Sequence, residues 1–307
     1  TNLKDKASLG KVFVQIKLSV VQSDASEETV QKISEYANTQ NKVNPADFFS
    51  NHPFHVRIEE FSRRILAPAK EGSAIDTRWF YERARGQYAD AQSKFTPAQQ
   101  KRFKLQNPKP QMFSKTDLAK FENVWDDNPV YVNGGAQLNF AKYAERIGKI
   151  WTKNPDQFNE YYYKSIIARA IIFRSTEKVI SDQAWYGGGY RANLVAYTLA
   201  LLSELFKKHS KSADILGIWS KQEISESFKE SIASVGEIVH EYIIDPPHGI
   251  SNISEWCKKE GCWLNLKSKL SEFENAVSIE FLKELISLDS QKEESKTSSE
   301  NQQIDNG

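Results

Sequence analysis

Cysteine is nearly missing from this chain of 307 residues: only Cys257 and Cys262 occur, and two thiols make no disulfide framework. Methionine occurs once. No apolar run approaches the roughly 18–20 residues that a membrane-spanning helix needs. The first residues also lack the charged and apolar regions of a secretory signal. Charge of one sign is absent too, with 41 Lys+Arg against 40 Asp+Glu, so the whole-chain balance points to neither an acidic nor a basic partner. These absences read as a cytoplasmic protein with no membrane partner. A chain that opens on Thr1 rather than Met reads as part of a longer or processed protein. The length suffices for one large domain or two ordinary ones with a hydrophobic core.

Beneath the balanced total, charge is unevenly distributed. Residues 56–104 hold 11 Lys/Arg and 6 Asp/Glu, whereas residues 271–307 hold 3 Lys and 9 Asp/Glu. The middle of the chain can therefore present a positive surface that the total conceals.

Residues 11–21, KVFVQIKLSVV, put Val12, Val14, Ile16, Leu18 and Val20 on one face, the period of a half-buried strand. A helix follows with Ser26 as its N-cap and Val30 and Ile33 at helical spacing. Asn44-Pro45 writes a second helix start and Asn51–Pro53 a third, with Ile58, Phe61 and Ile65 as its stripe until Pro68. TRWFYERARGQY, residues 77–88, reads as a strand leading into a turn at Gly86.

Beyond it the pattern turns helical. Thr96-Pro97 starts a short helix, and Ser114 or Thr116 caps TDLAKFENVW. Residues 136–151, 157–180, 190–209 and 223–244 are four longer amphipathic segments. The third is apolar on most faces, which marks it as the central helix. A last helix is expected over about 271–288, and residues 291–307 read as a disordered tail. The fold class is α+β and predominantly α: a small α/β portion over 1–90, then a helical domain over 91–290.

On an extended strand Arg78, Phe80, Glu82 and Ala84 face one way and Trp79, Tyr81, Arg83 and Arg85 the other. Arginines beside aromatics suit phosphate contact with base stacking. The plainer reading is that Arg78 or Arg83 pairs with Glu82 or a neighbouring carboxylate while the rings fill the core. In the stretch 37–55, Asn38, Gln40 and Asn41 have no capping role to explain them, unlike Asn44 and Asn51. Such amides can read a base edge or hold a sugar or phosphate.

Catalytic chemistry finds no pattern. Gln15 and Lys17 stand where a metal-dependent nuclease would need a carboxylate ligand before its lysine. His52 and His55, near Asp47 and Glu59 in sequence, lack further metal ligands, and His240, His248, Cys257 and Cys262 follow no zinc spacing. WYGGGYR, 185–191, is no Walker loop, because no Lys-Ser/Thr ends it, and reads as a flexible helix–helix connection. No catalytic residue, metal site or cofactor is assigned.

Several long stretches carry a resemblance in order along the chain. They are ANTQNKVNPADFFSNHPFHVRIEEFSRRI, TRWFYERARGQY, NPKPQMFSKTDLAKFENVW, VNGGAQLNFAKYAERI and GYRANLVAYTLALL. Over most of residues 10–205 the chain resembles the abortive infection phage resistance (AIPR) protein family. That family is bacterial, cytoplasmic and associated with defence against phage, often encoded beside restriction–modification genes. Its members usually carry additional upstream sequence with an Asn-Gly-x-Gln-Thr motif, so the chain resembles the C-terminal part of such a protein. The resemblance supplies no catalytic residue to transfer. It implies DNA or RNA as a partner, with Arg78, Arg83, Arg85 and Lys115 as contacts. Asn38, Gln40, Asn41 and Asp47 match the family's most recognisable motif and are expected to face the nucleic acid or a missing domain. The expected function is a nucleic-acid-binding or effector module. The alternatives are a scaffold that docks partner subunits of the defence system, or part of a divergent nuclease completed by an upstream segment.

Overall fold

The computed structural model describes residues 49–290, apart from residues 71, 73, 74 and 127. They belong to one compact unit, Asn44–Gly307. The strand expected over 11–21, the helices expected from Ser26 and Asn44, and the tail at 291–307 lie outside the described residues.

Helix α1, Pro53–Arg64, opens with Pro53 at its first position, where a missing N–H costs nothing. Its cap is His52 rather than Asn51: the His52 Nδ1 accepts the Phe54 N–H at 3.2 Å. Phe54, Ile58 and Phe61 point into the core. Strand β1, Phe80–Glu82, is much shorter than TRWFYERARGQY suggests. The Glu82 carboxylate accepts the Gly86 and Tyr88 N–H groups at 3.1 and 3.2 Å, curling the chain into a turn as soon as the strand ends. Gly86, at φ +92°, supplies the left-handed residue that this turn requires. Arg83 and Arg85 are thereby taken off the strand.

Strand β2, Met112–Ser114, pairs parallel to β1 with Tyr81 opposite Phe113. A parallel pair needs a crossover, which α2 (Gln87–Asp90) and α3 (Pro97–Gln106) provide. Thr96 caps α3 reciprocally with Gln99, as the Thr-Pro start predicts. Ser114, not Thr116, caps α4, Lys115–Trp125, in a reciprocal pairing with Asp117.

The remaining helices form the body: α5 (Pro129–Asn133), α6 (Ala136–Lys153), α7 (Glu160–Ser181), α8 (Arg191–Lys208), α9 (Ile215–Lys221) and α10 (Glu226–Ile244). The four long segments read from the sequence are α6, α7, α8 and α10. Residues 194–203 of α8 are all buried, which makes it central, but α7 shares that place with Ile166, Ile167, Ala168 and Ile172 fully buried. α1 and β1 contribute Phe54, Ile58 and Tyr81 to the same core.

At the C-terminal end come α11 (Ile253–Trp256), α12 (Glu260–Ser268), α13 (Leu270–Asn275) and α14 (Ile279–Glu284). The single helix expected over 271–288 is thus broken. Ser278 accepts the Phe281 N–H at 3.1 Å and restarts the helix, which turns both Val277 and Phe281 inward. Strand β3, Lys211–Ser212, then pairs antiparallel with β4, Ile286–Ser287. The chain is predominantly α with a few short strands, in line with the α+β expectation. No described helix is long and apolar enough to cross a membrane.

One serine ties α1 to β1. Fully buried Ser62 donates to the Trp79 carbonyl and accepts the Tyr81 N–H, each at 2.8 Å. Ser62→Ala leaves the Tyr81 N–H unpaired in the core and the Trp79 carbonyl with only the longer bond from the Tyr163 hydroxyl at 3.3 Å, and is expected to cost about 1–3 kcal/mol. Urea unfolding of the two proteins measures it; an unchanged midpoint would show that the strand does not depend on this link.

Candidate nucleic-acid interface

The two rings of β1 and that of Trp79 just before it are all buried but face two different environments. Trp79 and Tyr81 enter the main core, where the Trp79 Nε1–H donates to the Gln222 Oε1 at 2.8 Å and the Tyr81 ring packs 5.1 Å from Phe113. Phe80 turns the opposite way, against Tyr88 at 5.1 Å and Phe103 at 5.8 Å. Phe103 in turn meets Phe95 at 5.9 Å. These rings are the foot of a small lobe made of α2 and α3. None of the α3 residues is buried, so the helix rests on half-buried Phe103 and its two-way cap rather than on a core face.

The lobe is strongly positive. Residues 83–116 contain eight Lys/Arg and a single carboxylate residue, Asp90. Arg85, Lys94, Lys101, Arg102 and Lys104 are exposed, and none forms an ion pair among the described residues. Lys109 lies 4.7 Å from the Tyr88 ring centre at the base of the lobe. A shallow cleft of about 350 Å³ runs along α3, lined by Pro97, Gln100, Lys101, Lys104 and Leu105.

The residues singled out from sequence take different places. Arg85 is exposed in the turn that leads into the lobe. Arg83 is held behind it: its Nε meets the Glu59 carboxylate at 2.7 Å and it donates to the Asn51 Oδ1 at 2.8 Å. Glu59 also accepts from Arg63 at 3.3 Å and Gln87 at 2.9 Å, so one carboxylate gathers α1, the turn and α2. Arg78 is half-buried, its N–H donating to the Gln106 carbonyl at the end of α3 and its Nε enclosed without a partner. Lys115, the first residue of α4, is buried and close enough to His55 to act on its titration. Asn38, Gln40, Asn41 and Asp47 lie outside the described residues.

The structure thus brings Arg83 and Lys115 to the His55 side of the strand pair and Arg85 to the lobe. Lys94, Lys101, Arg102 and Lys104 escape sequence motifs altogether. Only the charge surplus over 56–104 points to them.

His52 and His55 both have structural work. The Tyr81 hydroxyl and the His55 Nδ1 share a hydrogen bond of 2.6 Å in the core. Among the described residues, no group of three or more His, Cys, Asp or Glu is placed to hold a metal. Burial drives the His55 pKa well below its ordinary value, and His52, Lys115 and Arg83 push the same way. The folded state therefore keeps this imidazole neutral while the unfolded chain takes up a proton near pH 6.5. Its stability contribution is complete above about pH 6.5 and is lost as the pH falls, by up to about 1.4 kcal/mol per pH unit. Unfolding midpoints of wild type and His55→Gln between pH 7.5 and 5 are expected to differ in slope in this sense. Parallel profiles would contradict a neutral buried His55.

A predominantly helical body with a positive, weakly buried lobe built across a parallel strand pair is the class of protein that these features define. The chain belongs to the AIPR protein family, whose model matches residues 1–247. No curated protein and no solved structure matches it. Family membership supports a role in abortive infection, a defence against phage.

Proposed function

We propose that this protein is a nucleic-acid-binding component of a phage-defence system, and that the α2–α3 lobe with Arg85 is the surface that meets phosphates. One observation carries the reading: Arg85, Lys94, Lys101, Arg102 and Lys104 are exposed on the lobe and its turn beside a single carboxylate, Asp90, and none of the five forms an ion pair among the described residues. A solvated helix usually mixes charge signs along its face, and α3 has no acidic residue at all. Cations free of carboxylate partners can replace the counterions of a phosphate backbone, which gives affinity without sequence preference.

In this reading Arg83, fixed by Glu59, positions the turn that presents Arg85. Arg78 backs the end of α3, where its N–H donates to the Gln106 carbonyl. The amides Asn38, Gln40 and Asn41, with Asp47, contact a base edge or sugar. Anisotropy titrations with labelled single- and double-stranded DNA and RNA test the proposal. Binding by wild type that is retained in full by Arg85→Ala/Lys101→Ala/Lys104→Ala would remove the lobe from it.

A further inference from the structure

Away from the lobe, α6 divides its side chains between two faces. Phe140, Tyr143 and Ile147 are buried in the core, while Lys142, Arg146, Lys149 and Ile150 follow one another at helical spacing along an outer face. A cleft of about 480 Å³ opens over that outer face, bounded also by Asn123 of α4, by Asn128, and by Tyr131 of α5. Its volume falls in the range of small-ligand sites, roughly 300–1,000 Å³.

Three cations line the cleft against one carboxylate, Glu145. That carboxylate is shared: it accepts from Lys149 at 2.8 Å and meets Lys142 at 3.6 Å. Exposed pairs of this kind are weak and yield to a more highly charged anion. Arg146 is held more firmly. It pairs with Asp126 and donates to the Oδ1 of buried Asn123 at 3.2 Å, while its Nε is enclosed without a partner. Asn123 in turn donates to the Asn139 carbonyl and Oδ1 at 2.9 and 2.8 Å, and the Asn139 Nδ2 is enclosed and unpartnered as well. Donors are thus in surplus at and just behind the inner wall, which suits a ligand rich in acceptor oxygens.

Tyr131 adds a flat aromatic surface. Its ring centre lies 5.9 Å from the Lys142 Nζ, so an anion held by Lys142 sits beside the ring. Asn128 donates to the Asp126 carbonyl at 2.7 Å, and its Oδ1 has no partner among the described residues, which leaves it to accept from a ring amine.

We propose that this cleft binds a nucleoside monophosphate, with the phosphate on Lys142, Arg146 and Lys149 and the base stacked on Tyr131. Only one sugar separates phosphate from base, so a phosphate at Lys142 leaves its base within reach of the ring. A dianion suits three cations and one carboxylate better than a neutral nucleoside does. The site does not rest on the lobe, since α3 contributes none of its residues.

The test is calorimetric titration of the full chain with AMP, GMP, CMP and UMP, each beside its nucleoside and inorganic phosphate. At least one monophosphate is expected to saturate the protein, at least about 10-fold more tightly than its nucleoside. Lys142→Ala/Lys149→Ala should weaken that binding by at least about 10-fold, and Tyr131→Leu by at least about 5-fold. Both lysines are exposed, so the double variant keeps the core, and circular dichroism confirms the fold of each variant. In wild type, with no variant needed, the bound nucleotide should protect Lys142 and Lys149 from acetic anhydride, read by peptide mass mapping. No saturation by any of the four up to about 1 mM overturns the proposal. Binding kept in full by the double variant, or leaving both lysines as reactive as in the free protein, overturns the site. A nucleoside that binds as tightly as its monophosphate overturns the role of the phosphate, and full binding by Tyr131→Leu overturns the placement of the base.

Discussion

Replacing Glu122 with leucine is expected to cost about 3–5 kcal/mol of folding stability, the largest single-site loss that this fold predicts. Glu122 is 2 % exposed and lies on α4, yet both carboxylate oxygens are engaged. Arg169 on α7 donates to one at 2.7 Å and the Tyr162 hydroxyl to the other at 3.0 Å. Burial works against the Arg169 charge, but Glu122 together with Tyr162 and Tyr143 more than offsets it, so the guanidinium holds its proton more tightly than usual. Without Glu122, a cation would remain in the core with nothing to balance it. The pair itself need not be strongly stabilising, because removing two charges from water is costly. Glu122→Leu/Arg169→Met is therefore expected to recover most of the single-mutant loss, and urea unfolding of the four proteins gives the coupling. Additive losses in the double variant would show that the two charges do not depend on each other.

The second large effect concerns binding rather than stability. Lys101→Glu/Arg102→Glu/Lys104→Glu is expected to weaken nucleic-acid binding by at least about 100-fold, since it both removes and reverses phosphate contacts. Stability should change by no more than about 0.5 kcal/mol per site, because none of the three side chains is buried. Arg83→Ala is expected to behave in the opposite way. It breaks the Glu59 and Asn51 contacts that hold the turn, so it loses stability first and affinity only through the displaced Arg85. Anisotropy and thermal melts on both variants separate the two roles. Equal affinity of the triple variant and wild type would place the binding surface elsewhere.

These contrasts show how far the sequence carries. Caps at Thr96 and Ser114 are legible because each is a side chain answering a backbone N–H three residues on. The long helices are legible for the same local reason: their apolar spacing repeats. Asn51 looks like the cap of α1, but its side chain is drawn to Arg83, 32 positions away, and His52 takes the capping role. The arginine pairing has the same character, since the Glu59–Arg83 contact spans 24 positions and Glu122–Arg169 spans 47. Nothing in TRWFYERARGQY tells that Phe80 turns away from the core to hold a second set of rings. The positive lobe was half legible: the charge surplus located the segment, and only the fold revealed that α3 keeps its cations in solvent.

The slope of binding affinity against salt tests the central claim most directly. Log K for a short duplex should fall linearly with log[salt] for wild type, by about 0.9 for each phosphate neutralised. Alanine at Lys101, Arg102 and Lys104 should flatten that slope by about 2.7 while the fold stays intact. A wild-type slope near zero, or an identical slope in the alanine variant, would contradict a lobe that binds nucleic acid through its exposed cations.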